Sequence, residues 1–283
     1  MLKTFRDIYN KISDYPPIKI AVVNPKQAYL FHVLDEAEKL GWVAPMIFTD
    51  DAPEVAAKNA VAAIASGEAE ILMKGDIETS TLLKAVMNSK TGIRTNRLLS
   101  HIAVVKSKNF DRLMLMTDGG VNPNLTPKVL DSIILNALDM AQALEIDTPN
   151  IAMLSLVEKV TDKLPESMTA NDTVNRYRDD SRFAIEGPIA LDVALSKKAA
   201  TSKGLTSNIA GEVDVFIGPN ITAINFMVKA LMGIGNASGG GVILGAKAPI
   251  VLLSRSDSIH TKLHSIALGV LAFFHNKTLQ IQT

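Results

Sequence analysis

The sequence predicts an α/β protein built from two α/β/α lobes with mostly parallel sheets and a cleft between them. Short apolar runs alternate with amphipathic helical patterns along almost the whole chain, which is the order of elements in βαβ units. The apolar runs show little alternation with polar residues, as expected of parallel strands that helices cover on both faces. The 283 residues are enough for two domains, because a domain typically has ~150 residues.

The predicted strands follow the apolar runs in order along the chain. They cover residues 18–23, 43–49, 69–73, 102–105, 113–117, 151–157, 183–185, 213–217, 242–244 and 250–253. A short polar link joins the runs 102–105 and 113–117, which favours a β-hairpin at that point. Helical patterns separate most of the other runs, which favours parallel pairing.

The predicted helices rest on apolar residues at helical spacing and on end signals. They cover residues 30–40, 53–67, 79–87, 127–144, 166–178, 190–200, 221–232 and 258–274. Gly41 is placed to end the first of these helices, and Pro53 to begin the second. Thr126 is a natural N-cap, and Pro127 follows it as the first residue of the clearest amphipathic helix.

Composition and charge exclude several classes of function. The formal net charge is +0 and the pI is about 7.0, so the chain lacks the basic character of proteins that bind nucleic acids or anionic membranes. The chain has no cysteine, which excludes disulfides, thiolate metal ligands and a cysteine nucleophile. It has no N-terminal apolar signal core and no apolar run of the ~20 residues that span a bilayer. The sequence therefore predicts a cytoplasmic protein.

Polar or glycine-containing segments follow five of the predicted strands. They are residues 73–75, 117–120, 186–188, 218–220 and 254–255. In open α/β sheets ligands collect at the carboxyl ends of the strands. These segments therefore predict a binding cleft.

The most informative stretch lies near the C-terminus, between residues 239 and 257. Its glycines allow an anion to approach the backbone amides, and its basic residues supply positive charge. A helical pattern starts after Asp257 and would add the positive end of a helix dipole. These features predict a phosphate site with a hydroxyl and a carboxylate beside it. The alternative is a glycine-rich turn between two buried strands, with a surface arginine nearby. The residues concerned are Gly239, Gly240, Gly241, Gly245, Lys247, Ser254, Arg255 and Asp257.

Six separated segments, covering residues 92–101, 118–123, 186–192, 245–249, 253–257 and 262–268, carry a family resemblance. Together they resemble the phosphate acetyl/butyryltransferase family, most closely its phosphate butyryltransferase branch, over nearly the whole chain. The resemblance implies an architecture similar to the isocitrate/isopropylmalate dehydrogenases. One lobe would comprise residues 1–148 plus 242–283, and the other residues 149–241. It also implies a homodimer or a higher homo-oligomer.

The activity that this resemblance implies is acyl transfer between CoA and inorganic phosphate: acyl-CoA and phosphate give acyl phosphate and free CoA, and the reverse. The acyl group would be short, with butyryl expected and acetyl as the alternative. Direct transfer in a ternary complex needs no enzyme nucleophile, which suits a chain without cysteine. CoA is then a substrate, and no bound cofactor or metal is expected.

The resemblance also implies roles for particular residues. Arg255 would hold the phosphate or the carbonyl oxygen, and Ser254 would bond to the sulfur or the phosphate. The alternative for this pair is an N-cap serine beside a solvent-exposed arginine. Asp257 is the nearest carboxylate for a general base, although a plain helix cap explains it equally well.

Further residues are expected to bind phosphate or CoA. Gly245 and Lys247 resemble a loop lining this side of the site, while Arg94 and Arg97 are expected either to hold a phosphate or to be solvated surface charges. Lys74 and Asp118 end predicted strands, and capping or turn formation is the alternative for both. Pro188 belongs to the Gly-Pro motif.

Two other functions fit the same predicted architecture. A dehydrogenase would need a dinucleotide site, and residues 233–238 only partly resemble one because they follow a helix. The second alternative is a non-catalytic protein that binds CoA or phosphate.

His260 and His264 have the i, i+4 spacing of metal ligands, but the sequence offers no third ligand beside them.

Overall fold

The computed structural model describes residues 1–254 and 256–282, with side chains described as far as residue 279. The strands are β1 (Ile18–Val23), β2 (Val43–Phe48), β3 (Ile71–Lys74), β4 (Ser100–Lys106), β5 (Met114–Thr117), β6 (Asn150–Leu154), β7 (Ala184–Ile189), β8 (Val215–Ile217), β9 (Ser238–Leu244) and β10 (Ile250–Val251). The helices are α1 (Phe5–Ser13), α2 (Ala28–Lys39), α3 (Pro53–Ala65), α4 (Thr79–Val86), α5 (Pro127–Ala143), α6 (Pro165–Arg176), α7 (Leu191–Leu195), α8 (Lys197–Ser202), α9 (Ile221–Gly233) and α10 (Ile259–Gln282).

The chain divides into two compact units. The terminal unit contains residues 4–99 and 239–283, and the middle unit contains residues 1–3 and 100–238. The predicted lobes placed residues 100–148 with the N-terminal part of the chain. In the structure this segment lies in the middle unit, because strand β5 pairs with β8, for example Leu115 with Val215.

The terminal unit has the strand order β2-β1-β3-β10-β9. Its first three pairings are parallel, and β10 pairs antiparallel with β9. Helices α1, α2 and α10 pack together on this sheet, and α3 packs with α4. The buried residues of β1 and β3 are almost all aliphatic, so the sheet forms the centre of an apolar core.

The middle unit has the strand order β4-β5-β8-β6-β7. Strands β4 and β5 form the predicted antiparallel hairpin, and the other three pairings are parallel. Helix α5 begins as predicted, with the Thr126 hydroxyl accepting a hydrogen bond from the Val129 amide and with Pro127 in its first turn. The prediction of a mostly parallel α/β architecture is thus confirmed in both units.

Three elements differ from the predicted ones. Helix α1 was not predicted, although Thr4 and Asp7 form a reciprocal capping box at its start. The predicted helix 190–200 is two helices, α7 and α8, because Ser196 adopts an extended conformation and its hydroxyl caps the Ala199 amide. The predicted strand 242–244 begins earlier, at Ser238.

The glycine run 239–241 therefore lies within strand β9 and does not form the predicted anion-binding loop. A Cβ atom on Gly240 would lie 2.8 Å from the Cβ of His264 and 2.9 Å from the backbone nitrogen of Ser265. Glycine is required here because the strand approaches helix α10 at backbone contact distance. The Gly241 amide also donates a 3.0 Å hydrogen bond to the Ser265 hydroxyl.

His264 connects three elements of the terminal unit. Its ring stacks on Phe5 of helix α1 with centroids 3.7 Å apart, and its Nδ1 lies 3.0 Å from the carbonyl oxygen of Gly239. Since a carbonyl can only accept a hydrogen bond, Nδ1 carries the proton in the neutral ring. This side chain is a core residue, which argues against its use as a metal ligand with His260.

None of the helices within the described residues is both long enough and apolar enough to cross a lipid bilayer.

The buried imidazole makes stability depend on pH. Burial lowers the pKa of His264 from 6.5 to about 4, so the unfolded chain binds a proton in a pH range where the folded chain does not. We expect the free energy of unfolding to fall by about 2 kcal/mol between about pH 7.5 and pH 5 from this group. Urea denaturation at several pH values measures this change. The His264→Asn variant keeps a donor for Gly239 and should lose this part of the pH dependence; an unchanged slope would contradict the assignment.

Candidate active site

In the terminal unit, three adjacent parallel strands end at the same edge of the sheet. Val23 of β1 pairs with Lys74 of β3, and Met73 of β3 pairs with Val251 of β10. The segments after these strands therefore emerge side by side, as the sequence predicted for the carboxyl ends of parallel strands. Two of the predicted site segments, at Lys74 and at Ser254, follow neighbouring strands at this edge.

The turn after β3 is held tightly against the end of β1. The amide of Gly75 donates to the carbonyl of Val23 at 2.9 Å, and a Cβ on Gly75 would lie only 2.2 Å from that oxygen. The carboxylate of Asp76, which sequence reasoning did not select, accepts hydrogen bonds from the amides of Lys26 and Gln27 at 2.7 and 3.2 Å. It thereby fixes the chain just before helix α2.

Lys74 turns its ammonium group toward carbonyl oxygens of this turn. The Nζ atom donates to the carbonyl of Gly75 at 3.1 Å and to that of Ile77 at 2.9 Å. The side chain is half-buried. Its observed contacts therefore shape the loop, while its charge stays at the carboxyl edge of the sheet.

Ser254 follows strand β10 and opens a short loop that leads into helix α10. Its amide donates to the Oδ2 atom of Asp257 at 2.7 Å, and the Asp257 amide donates back to the Ser254 carbonyl at 3.2 Å. The hydroxyl of Ser254 lies 3.0 Å from that of Ser256 and is exposed. Asp257 thus holds the loop through the Ser254 amide. It is not the helix cap of the alternative interpretation, because the hydroxyl of Ser258 caps helix α10 by accepting a hydrogen bond from the Thr261 amide. Arg255 lies outside the described residues.

The loop is also bound by a lysine that sequence reasoning did not assign to the site. Lys262 lies in the first turn of helix α10, and its Nζ atom donates to the carbonyl of Asp257. The same ammonium lies 4.6 Å from the centre of the Tyr29 ring, at the start of helix α2. A usable signal was present: a lysine four residues after Ser258, at the start of an apolar run, falls on the buried face of the helix.

The structure brings together two predicted basic segments that are far apart in sequence. Arg94 forms an antiparallel bridge with Ala246, and the amide of Lys247 donates to the carbonyl of Ile93 at 2.8 Å. The hydroxyl of Thr95 donates to the carbonyl of Gly245 at 2.7 Å. Gly245 has a φ of 102°, a conformation that favours glycine. Arg94 and Lys247 are exposed, and Arg97 is half-buried close to this pairing.

Asp118 follows strand β5 immediately, at the carboxyl edge of the middle unit's sheet, and is 2 % exposed. Its Oδ1 atom accepts hydrogen bonds from the amides of His101, Gly120 and Val121 at 3.3, 2.8 and 3.0 Å. Its Oδ2 atom accepts from the amide and the side-chain amide of Asn122 at 3.0 and 2.6 Å. The carboxylate therefore holds together the loop that follows β5. This is turn formation, the alternative to substrate binding that the sequence left open for Asp118.

Pro188 lies inside strand β7, where it is buried, and does not project from a loop. β7 is the last strand of the middle unit's order, and edge strands are where proline is tolerated in a sheet. A Cβ on the preceding residue, Gly187, would lie 2.5 Å from the Cβ of Met153. The Gly-Pro motif is thus explained by close packing between β7 and β6.

The carboxyl ends of β3 and β10 carry a hydroxyl group and two ammonium groups. Among the described residues, no three His, Asp or Glu side chains converge as metal ligands. The hydroxyl of Ser254 is exposed, whereas the ammonium groups of Lys74 and Lys262 donate to backbone carbonyls of the adjoining loops. Hydroxyl, amide and ammonium donors are the groups that bind phosphate oxygens.

Comparisons with known proteins agree with one another. Residues 43–270 match the family model described as phosphate acetyl/butaryl transferase. A phosphate butyryltransferase of Clostridium acetobutylicum is 34 % identical over 96 % of this chain and 98 % of its own length. A phosphate acetyltransferase of Thermotoga maritima is 36 % identical over 81 % of this chain and 79 % of its own length.

Solved structures support the same relationship. The crystal structure of a branched-chain phosphotransacylase from Enterococcus faecalis superposes with a TM-score of 0.85 at 31 % identity, covering 90 % of this chain and 99 % of that one. A 4-hydroxythreonine-4-phosphate dehydrogenase from Klebsiella pneumoniae, 10 % identical, has a TM-score of 0.50 and covers 95 % and 87 % of the two chains. The latter likeness concerns the fold alone.

The loop after β5 provides a test of the role of Asp118. In the Asp118→Asn variant, one acceptor oxygen becomes an NH2 group that faces backbone donors, so at least one buried donor loses its partner. We expect a loss on the order of 3 kcal/mol in the free energy of unfolding, measured by urea denaturation. Asp192→Asn is the matched control because Asp192 forms an exposed ion pair with Lys203, and it should leave stability nearly unchanged. Equal stability of both variants would contradict the structural role of Asp118.

Proposed function

The chain belongs to the phosphate acetyl/butaryl transferase family, and we propose that it transfers a butyryl group between CoA and inorganic phosphate. Phosphate acyl transfer is the activity of this family, and CoA is its substrate. The observation that carries the proposal for this chain is the loop after β10, where Ser254, Asp257 and Lys262 are held together. It lies within the matched residues and contains the Ser-Arg pair that resembles the family's motif.

In the proposed reaction a phosphate oxygen attacks the thioester carbonyl within a ternary complex. A carbon–oxygen bond forms, the carbon–sulfur bond breaks, and CoA leaves as a thiolate that takes a proton. No covalent enzyme intermediate is needed, which fits a chain that has no cysteine. When both substrates are bound side by side in the reactive orientation, the reaction no longer depends on their chance encounter in solution.

The catalytic roles belong to the loop after β10. Arg255 holds the phosphate or the developing charge on the carbonyl oxygen, because its planar fork matches an oxyanion. Ser254 donates its hydroxyl to the phosphate or to the departing sulfur. Asp257 holds the loop through the Ser254 amide and is the nearest carboxylate for a base in the CoA-forming direction.

The remaining candidates bind or shape the substrate sites. The paired segment that contains Arg94, Arg97, Gly245 and Lys247 supplies exposed positive charge for phosphate groups of CoA or for the transferred phosphate. Lys74 adds charge at the carboxyl end of β3. Asp118 and Pro188 contribute indirectly, because their observed contacts shape the carboxyl edge of the middle unit's sheet.

The acyl preference is tested by comparing thioesters in one assay. Thiol released from butyryl-CoA, a branched C4–C5 acyl-CoA and acetyl-CoA is followed at saturating phosphate. We expect butyryl-CoA or the branched thioester to show a higher kcat/KM than acetyl-CoA by about 10-fold or more, since each methylene contributes about 1–3 kcal/mol in an apolar pocket. A clear preference for acetyl-CoA would identify a phosphate acetyltransferase, and thiol release that does not depend on phosphate would refute acyl transfer to phosphate.

We further propose that the protein assembles as a homo-oligomer through helix α9. This helix carries a single charged residue, Lys229, yet Ile224 is its only fully buried residue. Phe226 is 68 % exposed and Ile234, just beyond the helix, is 86 % exposed. An apolar helix this exposed is typical of a surface that a partner covers, and a second copy would cover it with the same residues.

Sedimentation velocity tests this assembly. The wild-type protein should sediment as a dimer or a multiple of dimers, and Phe226→Glu should shift it toward the monomer because a charge would be buried in the interface. Phe31→Glu is the matched control, since Phe31 is a similarly exposed phenylalanine of helix α2. A monomeric wild-type protein, or equal behaviour of the two variants, would contradict the proposal.

A further inference from the structure

Lys262 is an unusual residue for its position, because it is a lysine that is only 2 % exposed. Lysine is almost never fully buried unless its charge is compensated. Burial lowers the pKa of its ammonium group, and the nearby Asp257 opposes that effect. The contacts of Lys262 show how its buried charge is compensated.

The ammonium group is held between two elements of the terminal unit. It donates to the carbonyl of Asp257 on one side and faces the ring of Tyr29 on the other, 4.6 Å from the ring centre. An aromatic face compensates a desolvated cation through its quadrupole. The start of helix α10 is therefore bound, through Lys262, to the start of helix α2.

From Lys262 the contacts continue to the proposed catalytic serine. Asp257 receives the lysine at its carbonyl, while its carboxylate accepts the Ser254 amide at 2.7 Å and its amide donates to the Ser254 carbonyl at 3.2 Å. Both backbone polar groups of Ser254 are thus fixed by Asp257, and the carbonyl of Asp257 is fixed by Lys262. At the start of helix α10, the Ser258 hydroxyl accepts a hydrogen bond from the Thr261 amide and caps the first turn.

We propose that Lys262 is a positioning residue for acyl transfer, which holds the Ser254–Asp257 loop in its reactive geometry by binding the Asp257 carbonyl over the Tyr29 ring. This inference rests on the proposed function, since it gives the lysine a role through Ser254. The charge of Lys262 matters because a charge-assisted hydrogen bond holds a loop more firmly than a neutral one. Small displacements of a reacting group are sufficient to slow catalysis strongly.

The test compares Lys262→Met, which keeps the length but removes the charge, with Lys262→Arg, which keeps the charge. Thiol release is measured against butyryl-CoA concentration at saturating phosphate, and against phosphate concentration at saturating butyryl-CoA. Lys262→Met should lower kcat by roughly 100-fold, the scale of a misplaced reacting group, with little change in the KM for butyryl-CoA. Lys262→Arg should recover most of this loss. Lys277→Met, an exposed position on the same helix, should behave as the wild-type protein.

A double-mutant cycle with Ser254→Ala separates positioning from general stabilisation. If Lys262 acts through Ser254, Lys262→Met should add little to the loss that Ser254→Ala already causes, so the two effects should not be additive. Additive losses would overturn the proposal. So would a folded Lys262→Met variant with wild-type kcat, or a Lys262→Arg variant as slow as Lys262→Met.

Tyr29→Leu keeps the proposal testable if Lys262→Met does not fold. This variant removes the aromatic face under the ammonium and buries no new charge, so it should lower kcat several-fold and should also lose its effect in the Ser254→Ala background. An unchanged kcat in Tyr29→Leu would overturn the proposal. Absence of phosphate-dependent thiol release in the wild-type protein would instead refute the proposed function itself.

Discussion

The parallel pairing of strand β10 with β3 is the constraint on which the proposed site depends. It places residues near the C-terminus, after Val251, beside the turn that follows Lys74. Neither segment alone offers a site: the β3 turn uses its lysine on its own carbonyls, and the β10 loop is short and partly exposed. Joined at one edge of the sheet, they place the exposed Ser254 hydroxyl and the positive charges of Lys74 and Lys262 at the same edge, where we propose that phosphate binds.

Helix α10 is the support for that edge. Its first turn carries the buried Lys262 under the Ser254–Asp257 loop, and its second turn carries His264 and Ser265 against strand β9. The same helix therefore contacts both the loop and strand β9. The absence of a Cβ atom at Gly240 permits this close approach, so the glycine run serves the site through packing and not as an anion loop.

The sequence was sufficient to predict features that follow from local periodicity. The alternation of apolar runs and amphipathic helices gave the strands, the hairpin of β4 and β5 and most helices, because these patterns reflect burial directly. It failed where a single side chain overrides the pattern, as Ser196 does between α7 and α8. It also did not assign Lys262 to the site, although this lysine falls on the buried face of the helical pattern, because its contacts with Tyr29 and with the Asp257 carbonyl form only in the folded chain. Arg94 and Gly245 were both predicted as site residues, but the pairing of their two segments, through Ala246 and Thr95, depends on contacts between residues far apart in sequence.

We propose that phosphate binds at the loop between β10 and α10. A crystal structure of the protein with inorganic phosphate and CoA tests it most directly. We expect a phosphate oxygen within hydrogen-bonding distance of the Ser254 hydroxyl, about 2.5–3.0 Å, with the guanidinium of Arg255 directed at the same ion. Phosphate and the CoA sulfur bound at another part of the protein, with Ser254 contacting only its own loop, would contradict it.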